Sequence, residues 1–264
     1  MAELFLKQGK HYAAGRPSYP AELFRFIASK TPCHDLAWDV ATGTGQAASS
    51  LAGIYKNVIA SDASQNQLDF APKLPNVRYQ CTPPTMSTAE LNTYIAAEGS
   101  LDLVTVAQAM HYFDLPIFYE QVKRLLKPSH GILAAWCYTM AEINDSFDAI
   151  FRQFYLVDCS PFWDRARELV DNKYTTIDFP FEPVDGTDHT GPFEFASERL
   201  MDLDNFFTFI RSWSAYQTAK EKGIELLTDD LINNFKRAWS EDGNDRKMLK
   251  FPIHLRIGKV TSLN

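Results

Sequence analysis

Between residues 36 and 137 the chain repeats one pattern: a short apolar run, a turn of small or polar residues, then apolar positions at helical intervals. The apolar runs cover residues 36–40, 58–60, 77–79, 101–107 and 131–137, each of strand length. Helical spacing follows over 46–55, 65–70, 88–97 and 116–126, and Lys127-Pro128 closes the last of these. Strand and helix in alternation predict βαβ units, hence an α/β fold built on a doubly wound, mostly parallel sheet. Residues 103–107 (Leu-Val-Thr-Val-Ala) offer apolar side chains to both strand faces, as a central strand covered by helices on both sides requires.

After Cys137 the pattern changes. Residues 144–155 and 165–170 read as helices around Ser160-Pro161, and 179–195, rich in Pro, Gly and Phe, has little helical potential. Three further helices are expected at 203–211, 215–222 and 228–239. The tail at 248–260 alternates through Phe251, Ile253, Leu255 and Ile257 and predicts a last strand that returns to the sheet.

The composition narrows the class of protein. Across 264 residues, 45% are hydrophobic and 22% charged, enough to bury a sizeable core. Lys plus Arg number 26 against 33 Asp plus Glu, a formal charge of −7, which argues against a surface that tracks phosphate backbones, so nucleic acid is not an expected partner. The first ten residues carry only Leu4-Phe5-Leu6 as an apolar run, and no stretch approaches the ~18 apolar residues of a membrane span. A cytoplasmic protein without membrane partners is expected. Cys33, Cys81, Cys137 and Cys159 form no CxxC pair, so reduced packing cysteines are expected and no metal site.

Candidate chemistry begins where the first strand ends, in Asp39-Val-Ala-Thr-Gly43-Thr-Gly45-Gln-Ala-Ala48. Small residues at a strand-to-helix turn let backbone approach a ligand at the carboxyl edge of the sheet, where folds of this type bind. The second strand ends in Ser61-Asp62, nineteen residues beyond Gly43, a spacing that suits a carboxylate accepting both ribose hydroxyls of an adenosine. Two cofactors fit. Gly43-x-Gly45-x-x-Ala48 satisfies a dinucleotide fingerprint, which keeps a nicotinamide-dependent oxidoreductase open. Asp39 points instead to S-adenosylmethionine, whose ammonium and sulfonium groups tolerate a nearby carboxylate better than a pyrophosphate does.

These segments, together with Leu101-Asp-Leu-Val-Thr-Val-Ala-Gln108-Ala-Met-His111-Tyr112-Phe, resemble the class I S-adenosylmethionine-dependent methyltransferases. More narrowly they are similar to the plant and fungal proteins related to trans-aconitate methyltransferase, grouped as methyltransferase domain type 11 or embryo-abundant-like. The resemblance implies a seven-stranded sheet of order 3-2-1-4-5-7-6 with the last strand antiparallel. It also implies one domain over 1–264, with a cofactor-binding core at 20–138, a cap and substrate insertion at 139–245 and a return to the sheet at 248–260.

Carried onto this chain, the family's cofactor contacts fall on Tyr12, Arg16, Tyr19, Asp39, Ala41, Gly43, Gly45, Asp62, Ala63, Thr82 and Gln108. Tyr12-Ala-Ala-Gly-Arg16-Pro-Ser-Tyr19-Pro resembles a segment that folds over the cofactor, where Arg16 is placed to neutralise the methionine carboxylate. Two departures stand out: Ala41 occupies the family's first glycine, and the third strand ends in Gln80-Cys-Thr-Pro-Pro where an acid or polar pair is usual.

His111, in the loop after the central strand, is the candidate catalytic residue, able to orient an acceptor oxygen or take its proton. Tyr112, Trp136, Trp213 and Tyr216 are the candidate substrate contacts. The expected activity is methylation of a small organic acceptor at a carboxylate or hydroxyl oxygen, with no metal. A catalytically silent relative that binds cofactor or partner is the alternative outside enzymology.

Overall fold

The computed structural model describes residues 18–261, and in it the chain forms one seven-stranded sheet. The strands are β1 (Leu36–Val40), β2 (Asn57–Asp62), β3 (Val77–Cys81), β4 (Leu103–Ala107), β5 (Ile132–Tyr138), β6 (Phe193–Asp202) and β7 (Arg246–Lys259), in the order β3-β2-β1-β4-β5-β7-β6. β1 to β5 pair in parallel, while β7 runs antiparallel to both β5 and β6. This is the order and the antiparallel return that the family resemblance implies.

Burial follows from the alternation of side chains across the sheet. Ala37, Ala134 and Trp136 face one apolar cluster, Trp38, Leu133 and Ala135 the other. The first face is covered by α1 (Ala21–Lys30), α2 (Gln46–Leu51) and α6 (Asp145–Gln153), the second by α4 (Thr88–Tyr94) and α5 (Leu115–Leu125); the short α3 (Gln65–Leu68) follows β2. Every residue of β5 is buried, as its central position demands. Local chemistry fixes several helix starts. Ser87 and Glu90 form a reciprocal capping box at α4, and Asp114 caps α5 just before Pro116 in its first turn.

Two elements depart from the sequence pattern. α1 is not signalled by the expected elements, although Leu23, Phe24 and Ile27 form its buried stripe. β6 lies in the stretch read as poor in regular structure and its downstream margin. It is an edge strand whose Glu194, Glu198 and Arg199 interrupt the apolar alternation, and such charges protect an open edge from further pairing. β7 is long enough to pair with β6 over 246–255 and with β5 over 253–259, so its first half alternates buried and exposed while its second half is buried almost throughout.

Beyond β5 the chain builds a helical layer from α6, a π-helical turn (Phe154–Asp158), α7 (Arg167–Asp171), α8 (Leu203–Arg211), α9 (Ser214–Glu221) and α10 (Asp229–Ser240). Its interior is aromatic: Phe206 lies 5.0 Å centroid to centroid from both Phe147 and Phe151, and Phe235 and Trp239 close the cluster. No helix among the described residues is long and apolar enough to cross a membrane.

Candidate active site

The loops that leave β1, β2 and β4 meet at the carboxyl edge of the sheet. After β1 the backbone turns through three left-handed residues, Ala41 (φ +53°), Gly43 (φ +60°) and Gly45 (φ +81°). A Cβ on Gly45 would stand 2.8 Å from the Tyr79 hydroxyl and 3.2 Å from the Ala71 Cβ, so Gly45 is required by space as well as by φ, while Gly43, whose Cβ would meet only the movable end of Gln67, is required by φ. Ala41 holds the same conformation with a side chain, at a cost that glycine avoids. Asp62 organises this turn: its carboxylate accepts the Gly43 N–H at 2.9 Å and the Ser64 N–H at 2.8 Å.

Asp39 lies beneath the loop, fully buried. It accepts hydrogen bonds from the Thr42 hydroxyl (2.5 Å) and the Thr105 hydroxyl (2.7 Å). Burial outweighs those bonds and pushes its carboxyl up to about 6. Burial also raises Asp62, against the backbone N–H groups that favour its charged form.

These residues fit an adenosyl cofactor. Close-approach backbone, a carboxylate at the end of β2 and a second acid under the loop are the groups that the nucleoside and the cationic end need. Thr82 is buried, and its N–H donates to the Asp62 carbonyl at 3.0 Å, while Ala63 is exposed beside it. Tyr12 and Arg16 lie outside the described residues. Tyr19 packs edge-on against Trp136 at 5.3 Å.

A cleft of about 550 Å³, open mouth included, lies beside this loop system, between the ends of β4 and β5 and the helical layer. Gln108, His111, Tyr112 and Trp213 line it, together with Tyr138, Tyr155, Trp163 and Arg167. Gln108, itself left-handed (φ +57°), locks the two strand ends together: its side chain receives the Tyr138 N–H at 2.8 Å and donates to the Tyr138 carbonyl at 3.3 Å.

His111 sits in a 3-10 turn (Met110–Tyr112), with its Nδ1 2.8 Å from the hydroxyl of Tyr174 and its ring against Tyr112. Burial, and then the positive charge of Arg167, depress it to about 3. The imidazole is therefore neutral at physiological pH and a weak base. In that form it can orient an acceptor oxygen.

Two expected substrate contacts lie elsewhere. Trp136 is fully buried against Phe24 and Tyr19, because its place in the β5 alternation turns it into the core. Tyr216 is buried within the helical layer, where its hydroxyl donates to Glu225 at 2.6 Å. Conversely, Tyr155 and Arg167 line the cleft without any signal in the sequence. Arg167 and Asp171 are four apart in a short helix, which reads as an ordinary surface ion pair.

A family model described as a methyltransferase domain matches residues 38–135. A candidate methyltransferase of Dictyostelium discoideum is 32% identical over 256 residues, covering 95% of this chain and 92% of its own. CRG1 of Saccharomyces cerevisiae, named a probable S-adenosylmethionine-dependent methyltransferase, is 28% identical and covers 87% of each chain. The solved structure of a candidate type II methyltransferase from Anaeromyxobacter dehalogenans superposes with a TM-score of 0.78 at 27% identity, covering 94% of this chain and 99% of that one. The choice that the glycine loop leaves open between a dinucleotide and S-adenosylmethionine thus falls to the latter. With its sheet order, its glycine loop and relatives that match along nearly its whole length, the chain belongs to the class I S-adenosylmethionine-dependent methyltransferases.

Proposed function

We propose that this enzyme methylates an oxygen of a small organic acceptor held in the cleft between β4, β5 and the helical layer. The observation that carries this reading is the cleft itself. It is walled by Tyr155, Trp163, Phe209 and Trp213, and Gln108, His111 and Arg167 bring polar groups to the same lining. Aromatic walls of this kind bury a flat apolar body and exclude water.

In this reading the Gly43–Gly45 turn and Asp62 hold the adenosine, and Asp39 sets a negative potential under the loop. When bound, S-adenosylmethionine supplies an electrophilic methyl group with its leaving group already activated, so the protein has chiefly to align the acceptor. His111 contributes orientation: Tyr174 engages Nδ1, which leaves Nε2 for an acceptor oxygen. Tyr112 and Trp213 bound the acceptor, and Gln108 keeps the two strand ends at fixed separation.

The test is transfer of labelled methyl from S-adenosylmethionine to a panel of small carboxylic acids, phenols and alcohols. Label is expected in organic-extractable product from acids or hydroxyl compounds. Label recovered only in protein or nucleic acid would overturn the small-molecule reading, and cofactor binding without transfer to any acceptor would favour the catalytically silent alternative.

A further inference from the structure

The cleft contains one feature that methyl transfer in general does not ask for. Arg167 is the one formally charged side chain among the described residues lining it. Only 15% of that side chain is exposed, in a chain whose overall charge is −7. A buried guanidinium in an aromatic cleft is costly unless it is held and used.

It is held firmly. Nε donates to the Tyr155 hydroxyl at 2.6 Å and approaches the Asp171 carboxylate at 3.3 Å, and the Tyr155 hydroxyl also donates to Asp171 at 2.6 Å. The guanidinium plane lies over Trp163 at 4.8 Å and over Tyr155 at 5.3 Å. Trp163 is itself tied back, its indole N–H donating to the Tyr155 carbonyl at 3.3 Å. The π-helical turn that carries Tyr155 brings that ring under the arginine. All of these contacts engage Nε and the faces of the group. The Nη1 and Nη2 atoms make no hydrogen bond among the described residues, so the forked end of the guanidinium is left for a ligand.

We propose that Arg167 pairs with a carboxylate of the acceptor, which makes the acceptors of this enzyme small organic acids with a flat apolar body. A fork of two N–H donors on a fixed plane matches the two oxygens of a carboxylate, which a lysine matches less well. The rings of Trp163 and Trp213, tilted at 39° to each other with centroids 5.6 Å apart, form one aromatic wall of the cleft against which the body of such an acid would lie. Asp171 offsets part of the positive charge through Nε, which sets the site to hold an anion reversibly. This inference rests on the cleft being the acceptor site.

The test uses the full chain saturated with S-adenosylhomocysteine. Benzoate, 3-phenylpropanoate and trans-cinnamate, each beside its primary amide, are titrated while tryptophan fluorescence is followed. The acids are expected to bind and the amides to bind far more weakly. Arg167→Gln is expected to weaken acid binding by about 10- to 100-fold, with Arg167→Lys intermediate and S-adenosylhomocysteine affinity unchanged in both. Acids and amides that bind wild type alike, acids that fail to bind it, or acid affinity that is equal in wild type and Arg167→Gln would each overturn the proposal. So would loss of S-adenosylhomocysteine affinity in a folded Arg167→Lys protein, which would place the arginine at the cofactor. If Arg167→Gln does not fold, the acid-versus-amide comparison on wild type decides alone. Wild type that fails to bind S-adenosylhomocysteine would instead defeat the reading of the site beneath this one.

Discussion

The Asp62 carboxylate accepts the backbone N–H of Gly43 at 2.9 Å, tying the end of β2 to the turn after β1. The same carboxylate accepts the Ser64 N–H, so one side chain fixes both the glycine loop and the start of α3. Asp62→Ala is expected to weaken S-adenosylmethionine binding by about 1–3 kcal/mol, the cost of a lost hydrogen-bonding group of this type. Calorimetry checks this. Asp62→Asn separates charge from geometry, because the amide oxygen can still accept one of the two N–H groups. Unchanged affinity in both variants would remove Asp62 from the cofactor.

Ala41 is the family's first glycine replaced, and it sits at φ +53°. A side chain in that region costs roughly 1–2 kcal/mol, while glycine costs some unfolded-state entropy, so Ala41→Gly is expected to stabilise the protein by about 1 kcal/mol. Thermal unfolding measures it. A lowered melting temperature would mean that the methyl group packs better than its backbone conformation suggests.

Much of the sheet was legible because its central strands are buried on both faces: residues 103–107 and 131–137 offer apolar side chains to both faces, and no tertiary information is needed to read them. β6 was not, because an edge strand is half solvated, and Glu194, Glu198 and Arg199 break its alternation. The sheet order came from the family resemblance, since periodicity carries no pairing information. The same division holds at the site. Gly43, Gly45, Asp62 and His111 lie at strand ends or in the short segments just after them, where local spacing is visible. Tyr155 and Arg167 reach the cleft only through packing of the helical layer, and an arginine four residues before an aspartate resembles any solvated pair.

The aromatic layer over the sheet gives a stability prediction. Phe206 is fully buried and meets Phe147, Phe151, Phe235 and Trp239 at centroid distances of 5.0–5.9 Å. Phe206→Ala is expected to cost about 3–5 kcal/mol in denaturant unfolding, while Phe206→Leu should cost clearly less. A loss under 1 kcal/mol would show that the helical layer collapses around the gap and contributes little to global stability.

Two buried groups should contribute to acid sensitivity in opposite directions. Asp39 has its folded-state value raised to about 6 by burial, above the ordinary 3.8, so the native state holds that proton more tightly than the unfolded chain. Between these values its contribution to stability falls as pH rises, by about 3 kcal/mol in all. His111 is depressed from 6.5 to about 3 by burial and Arg167, so the unfolded chain takes up that proton first, and stability is lost as pH falls from 6.5 towards 3. Asp39→Asn should therefore make the protein less stable at pH 5 relative to pH 7 than wild type is. His111→Gln, which keeps a polar partner for Tyr174, should flatten the acid loss. Chemical denaturation of the three proteins at pH 5, 6 and 7 measures both slopes.

The same depressed value predicts that His111 does not titrate during turnover. A neutral imidazole whose conjugate acid forms only near pH 3 gives no inflection in kcat between pH 5 and 8, and a carboxylate acceptor, ionised throughout that range, needs no base. His111 should contribute no inflection to the pH profile of kcat with an acid acceptor across that interval, and any inflection there, such as one from Asp39 near 6, should persist in His111→Gln. His111→Gln should lower kcat while leaving the shape of the profile and cofactor affinity intact, as expected of a residue that orients the acceptor. An inflection near pH 6.5 that disappears in His111→Gln would show that acceptor binding or closure of the cleft restores the histidine to its ordinary range. Proton removal by His111 would then return as its role, and the acceptor would be a hydroxyl in need of a base.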